Sequence, residues 1–135
     1  METGSGMHIL LCEDHPMNQA ITKKLLEKQG AIVHIASDGE KGVAAFRSSP
    51  EGYFDMVLMD IRMPVLDGYE TAIEIRSMSR RDAATVPIIA MTADAFDEDV
   101  RKCLKVGMND HIAKPVDPDR LYQTVARYGK AGVRR

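Results

Sequence analysis

A chain of 135 residues, 44% hydrophobic and 28% charged, has material for one core and no room for a second folded domain. Its 18 basic and 20 acidic residues leave a net charge of -2 with no long single-sign block, which argues against nucleic acid or a charged membrane as a direct partner. No apolar run approaches the roughly 20 residues needed to cross a bilayer, and Cys12 and Cys103 stand apart without a CxxC spacing, which points to a reduced, cytoplasmic setting.

Residues 1–6, METGSG, precede a second methionine, Met7, and read as a tag-like leader outside the fold. The first predicted strand is His8 to Cys12. A helix then opens at Pro16, a good first-turn residue, places Met17, Ile21 and Leu25 on one face, and stops at Gly30. The second strand is Ile32 to Ala36, and Asp38 caps a second helix with Val43 and Phe46 facing inward. The third strand, Phe54 to Asp60, is almost continuously apolar, as a central strand covered on both faces should be. Asp67 caps a third helix carrying Ile73, and Pro87 to Thr92 forms the fourth strand. A fourth helix stacks Phe96, Val100 and Leu104 before Gly107 supplies a left-handed stop. His111 to Lys114 is the fifth strand. Asp117 and Pro118 start a last helix with Leu121, Val125 and Tyr128 as its buried stripe, and 129–135 is expected to fray. Met56, Met59, Met63, Phe46 and Phe54 read as core filler. Strand and helix alternating in this way predict an α/β domain with a parallel sheet over 7–128.

Four of those strands end in reactive polar residues: Glu13 and Asp14 after the first, Asp60 at the end of the third, Thr92 at the end of the fourth and Lys114 at the end of the fifth. In an open parallel sheet the rim beyond the carboxyl ends of the strands is where ligands bind. Three carboxylates gathered there repel one another unless a cation joins them, and Mg2+ takes one or two carboxylates and keeps several waters. An aspartate can attack phosphorus to give an acyl phosphate, and Asp60 is the best placed to do so. Lys114 and Thr92 would then neutralise and hold the phosphoryl oxygens. Taken singly, Asp14 and Thr92 could be helix caps and Lys114 a solvated lysine. Four polar strand ends together are hard to produce by capping alone.

The acidic pair Glu13–Asp14, the run MDIRMPVLDG around Asp60, MTA around Thr92 and the Lys114–Pro115 pair, in this order and spacing, resemble the receiver domain of two-component response regulators. EDHPMNQ and CLKVGMNDHIAKPVD are similar to receivers of hybrid sensor histidine kinases. The resemblance implies a flavodoxin-like, three-layer doubly wound sheet of order 2-1-3-4-5. It implies that Asp60 accepts phosphate from a phosphohistidine, with Lys114 and Thr92 assisting. It also implies that Glu13, Asp14, Asp60 and the Arg62 backbone carbonyl hold Mg2+, for which Mn2+ could substitute. Pro64 and Gly68 would shape the loop after Asp60, and the bond before Pro115 would be cis. The partners implied are a histidine kinase or histidine phosphotransfer domain, with no nucleic acid or membrane contacted directly and room for a weak homodimer. The segment would be no enzyme beyond its own phosphoryl transfer and dephosphorylation, although its parent chain could be a hybrid histidine kinase. Phosphorylation would be read out on the face of the fourth helix, fifth strand and fifth helix.

The family commonly places an aromatic residue, often Tyr or Phe, 19 positions after the threonine; here His111 stands there, either as a switch residue or as an exposed polar residue on an edge strand. Arg62 and Asp94 flank the pocket mouth, either as an ion pair across it that limits the attack of water on the acyl phosphate or as two solvated side chains worth under about 1 kcal/mol together. A Mg2+-dependent phosphohydrolase is the first alternative. A Toprim-like centre wants an aspartate where Arg62 stands, and a haloacid-dehalogenase-type phosphatase wants its nucleophile on the first strand with a second aspartate two residues on, where Pro16 stands. A flavin module needs a Ser/Thr/Gly-rich phosphate loop in place of EDHPMN. A pseudo-receiver that only docks would not need all five pocket residues.

Overall fold

The computed structural model describes residues 6–93 and 97–133, the side chains of 97–99 and 129–133 excepted. The elements in chain order are β1 His8–Cys12, α1 Pro16–Lys28, β2 Ile32–Ala36, α2 Gly39–Ser48, β3 Met56–Asp60, α3 Gly68–Arg76, α4 Arg81–Thr85, β4 Ile88–Thr92, α5 Asp97–Lys105, β5 Asp110–Ala113 and α6 Pro118–Val133. The strands form one parallel five-stranded sheet of order β2-β1-β3-β4-β5.

Alternation along the central strands divides the core in two, because successive side chains point to opposite faces. Leu10, Cys12, Val57, Met59, Ile88 and Ala90 pack with Phe46, Ile75 and Cys103 on the side of α2, α3 and α5. Ile9, Leu11, Leu58, Ile89 and Met91 pack with Leu26, Leu121 and Val125 on the side of α1 and α6. Full burial of each Val, Leu, Ile, Met or Phe side chain among them stabilises the fold by roughly 1.5–3 kcal/mol.

Helix starts follow the expected capping chemistry. Asp38 accepts from the Lys41 N–H at 2.7 Å, Asp117 from the Arg120 N–H at 3.0 Å, and Asp67 forms a reciprocal capping box with Glu70. Gly30 and Gly107 take positive φ of 88° and 95° just past α1 and α5.

Several apolar stripes are rotated from the expected faces. Met17 and Ile21 are 65% and 48% exposed, Ile73 51% and Leu104 58%. In α1 it is Leu26 and Thr22 that reach the sheet, which turns the Met17–Ile21 edge outward. In α3 the buried positions are Tyr69, Ala72 and Ile75, and in α5 Cys103 replaces Leu104. A helix packed on a sheet buries a narrow stripe, and one residue of rotation moves that stripe by about 100°.

The short helix α4 has no counterpart in the sequence reading, since five residues are too few to show a period. Arg80 fastens it: its guanidinium donates to the carbonyls of Phe46, Ser49 and Pro50 at 2.8–2.9 Å and pairs with Asp82 at 2.6 Å. At the other end α6 stays helical to Val133, past the Tyr128 after which fraying was expected. A glycine such as Gly129 weakens a helix by only about 1 kcal/mol against alanine, and no proline follows it. Of the 1–6 leader only Gly6 lies within the described residues, donating its N–H to the Gly30 carbonyl at 3.0 Å. Phe96 lies outside the described residues.

Gly68 is required by packing. A Cβ there would stand 2.5 Å from the Asp60 carbonyl oxygen and 2.7 Å from the Ile61 Cα, both backbone atoms that cannot swing away. Gly68→Ala is therefore expected to cost about 1–3 kcal/mol, read as a lowered urea midpoint at unchanged slope.

Candidate functional site

β1, β3, β4 and β5 deliver their polar ends to one rim, as the parallel register requires. Glu13 and Asp60 are almost fully buried, at 1% and 5% exposure, whereas Asp14 is exposed. One carboxylate oxygen from each of the three lies within 4.8 Å of the others. The Lys114 Nζ bridges the two buried acids, 2.9 Å from Glu13 Oε1 and 3.0 Å from Asp60 Oδ2. Thr92 is 7% exposed, and its carbonyl accepts the Lys114 N–H at 2.8 Å. A cleft of about 220 Å³ opens over the group, lined also by His15, Asn18 and Arg62.

Local backbone holds these side chains. The His15 N–H donates to Glu13 Oε2 at 3.1 Å, and the Gln19 amide donates to the Glu13 carbonyl at 2.6 Å. Asp60 Oδ1 accepts the Arg62 N–H at 3.2 Å. The loop then turns tightly, with the Leu66 N–H donating to the Pro64 carbonyl at 2.9 Å and Val65 at φ 71°, a left-handed conformation a β-branched residue rarely takes. The Lys114–Pro115 peptide bond is cis. The sequence reading missed Gln19 and Asn18. Their signal is weak, two amides in the first turns of a helix that begins beside an acidic pair.

The charges are unevenly satisfied. Burial pushes the Asp60 carboxyl up to about 6; Lys114 opposes the shift and the charge of Glu13 adds to it. Burial also works against the charge on Glu13, yet Lys114 and the His15 N–H outweigh it and hold that carboxyl below its ordinary range. Burial would lower the Lys114 ammonium, but the two carboxylates prevail and hold it above its usual value. Two buried carboxylates thus share one ammonium.

The donor set fits a hard divalent cation. Among the described residues Glu13 Oε1 is the buried side-chain oxygen without a hydrogen bond, although the Lys114 ammonium stands 2.9 Å away. An oxygen left this way beside two further carboxylates is suited to Mg2+.

Asp94 lies outside the described residues, and with it the expected pair to Arg62. His111 is half-buried on β5, on the sheet face that Ala90 and Thr92 share, with Nδ1 3.8 Å from Asp110 Oδ1 and its carbonyl accepting from Arg120 at 2.9 Å.

Comparison with known proteins gives these features a context. Residues 9–126 match the family model described as the response regulator receiver domain. The chain is 39% identical over 131 residues to probable histidine kinase 2 of Oryza sativa, an alignment covering 89% of this chain and 12% of that kinase. It is 38% identical to hybrid signal transduction histidine kinase I of Dictyostelium discoideum, covering 87% of this chain and 7% of that protein. The chain thus spans a small fraction of these relatives. Among solved structures it superposes at TM-score 0.82 and 40% identity on the receiver domain of the sensor histidine kinase PA1611 from Pseudomonas aeruginosa, which holds a magnesium ion in its active site cleft; 92% of this chain and 98% of that one are covered. It superposes at TM-score 0.85 and 30% identity on a chain from the Saccharomyces cerevisiae complex of the histidine phosphotransfer protein Ypd1 with the receiver domain of Ssk1, covering 94% and 91%.

Proposed function

The chain belongs to the response regulator receiver domain family, and on that premise we propose that Asp60 takes a phosphoryl group from a phosphohistidine in a Mg2+-dependent step. The observation that carries the proposal is the buried Asp60–Lys114–Glu13 group beside Asp14, three carboxylates that a divalent cation would neutralise. Asp60 attacks phosphorus through a carboxylate oxygen as the P–N bond breaks and the imidazole leaves with a proton. Glu13, Asp14, Asp60 and the Arg62 carbonyl would hold Mg2+, or Mn2+ in its place, and the bound cation would neutralise charge on the phosphoryl oxygens. Lys114 then pairs with the phosphoryl group, and the Thr92 hydroxyl donates to it. Its signal would pass to the face of α5, β5 and α6, with His111 following the movement of Thr92.

Incubation with acetyl phosphate and Mg2+ should add one phosphoryl mass to the wild-type chain and none to Asp60→Asn. A wild-type mass that does not change removes the reading.

The partner would be a histidine kinase or histidine phosphotransfer domain, and a surface suited to it lies beside the acids. Met17 and Ile21 project from α1, and Ile21 lines, with Pro115 and Val116, a groove of about 440 Å³. Exposed apolar side chains rimmed by polar groups mark docking sites. Ile21→Asp should slow transfer from a phosphorylated phosphotransfer domain by about tenfold or more, with the acetyl phosphate reaction unchanged. Equal rates for the two proteins would move the docking site elsewhere.

A further inference from the structure

Toward the opposite end of the sheet, β1 and β2 bring together side chains that phosphoryl transfer does not use. His8 Nδ1 stands 3.4 Å from His34 Nε2, and the Tyr53 hydroxyl lies 3.1 Å from the same His34 nitrogen. We propose that His8, His34 and Tyr53 form a binding site for a divalent transition-metal cation of the zinc or copper class.

The spacing is that of a chelate. Two imidazole nitrogens at about 2.0–2.1 Å from a tetrahedral ion stand roughly 3.3–3.4 Å apart, close to the separation between His8 and His34. The phenol oxygen stands 3.1 Å from the same His34 nitrogen, a second edge of similar length, and all three residues are half-buried, so water can take the remaining position. Imidazole suits zinc and copper, whereas Mg2+ prefers oxygen donors such as the acids at the other rim.

The donors are held in place before any ion arrives. His8 and His34 sit on neighbouring strands, with Leu10 the register partner of His34. The Tyr53 ring lies over His8 with centroids 4.2 Å apart, and Phe54 meets His34 edge-on at 5.3 Å. The buried Asp55 carboxylate accepts the His8 N–H at 2.9 Å, which anchors the start of β1.

Without metal, the facing nitrogens of His8 and His34 make one hydrogen bond, so one is protonated and the other accepts. Binding requires both to offer lone pairs. The His8 proton then sits on Nε2 and that of His34 on Nδ1, tautomers any neutral imidazole can adopt. Tyr53 either binds as phenolate, its proton passing to solvent water, or stays in the outer shell as a hydroxyl hydrogen-bonded to the water on the ion.

The test titrates the whole chain, with excess Mg2+ present to occupy the acidic cluster, with zinc and separately with copper chloride. Zinc binding is followed by calorimetry and by NMR of the histidine rings, copper binding by calorimetry. One equivalent should saturate the site, shift the rings of His8 and His34 and leave those of His15 and His111 in place. His8→Gln and His34→Gln should each weaken binding by at least about tenfold, Tyr53→Phe by less, and Asp60→Asn should not change it. Absence of saturable binding in the wild type, shifts confined to His15 or His111, or undiminished binding in both histidine variants would overturn the proposal. Because the wild-type titration can overturn it alone, the conclusion does not depend on the folding of any variant.

Discussion

Lys114→Ala is expected to destabilise the metal-free protein by about 3–5 kcal/mol at neutral pH, the usual cost of removing one partner from a buried ion pair. The side chain is 19% exposed and faces carboxylates of Glu13 and Asp60 that are 1% and 6% exposed, so solvent screening relieves little. Without the ammonium those two acids share a buried space with no cation. They respond by taking up a proton, and the cost should shrink as pH falls from neutral toward 5, because the folded variant binds protons that the unfolded chain does not. In melts followed by circular dichroism with EDTA, the variant should unfold on the order of 10 °C or more below wild type at pH 7 and much less below it at pH 5. Mg2+ should recover part of the loss. A variant within about 1 kcal/mol of wild type at pH 7 would show that the lysine is effectively solvated there. Phosphoryl uptake should fall by about 10²–10³-fold, the effect of removing one donor to a developing charge.

What could be read from the sequence was whatever repeats with a short period or follows a cap. Strand ends at Cys12, Ala36, Asp60 and Thr92 match the structure because apolar runs stop there. Asp38, Asp67 and Asp117 were readable as caps because the chemistry is local, an oxygen accepting a backbone N–H three residues on. Helix faces were harder. Met17, Ile21, Ile73 and Leu104 belong to plausible stripes, yet the face a helix turns inward depends on the elements beside it. Arg80 shows the same limit: an arginine binding the carbonyls of Phe46, Ser49 and Pro50 across roughly 30 residues of chain leaves no local signature. At the rim, residue identities were legible from their order, whereas the sharing of one lysine by two buried acids needed coordinates. That sharing, rather than the acids alone, explains why Asp60 is held ready to be neutralised.

Asp60→Asn should therefore stabilise the metal-free protein even as it removes the proposed phosphoacceptor. Burial pushes the Asp60 carboxyl up to about 6 in the folded chain, against 3.8 for an unperturbed aspartate. Between those values the folded state binds a proton that the unfolded state has lost, so stability falls as pH rises through the window and the deficit is complete above about pH 6. Its ceiling is roughly 3 kcal/mol, and relaxation around the coupled Glu13 and Lys114 will reduce it. Asparagine keeps an oxygen for the Arg62 N–H and leaves Glu13 and Lys114 as a balanced pair. At pH 7 in EDTA the variant should melt several degrees above wild type, and the two curves should converge near pH 4. Mg2+ should raise the wild type more than the variant, because a cation that binds only the folded state stabilises it more the more tightly it binds, and the variant has lost one charged ligand. If Asp60→Asn melts no higher than wild type at pH 7 without metal, the buried charge at Asp60 is not a strain on the fold. Phosphorylation would then have to act through the phosphoryl group's new contacts with Lys114 and Thr92 alone.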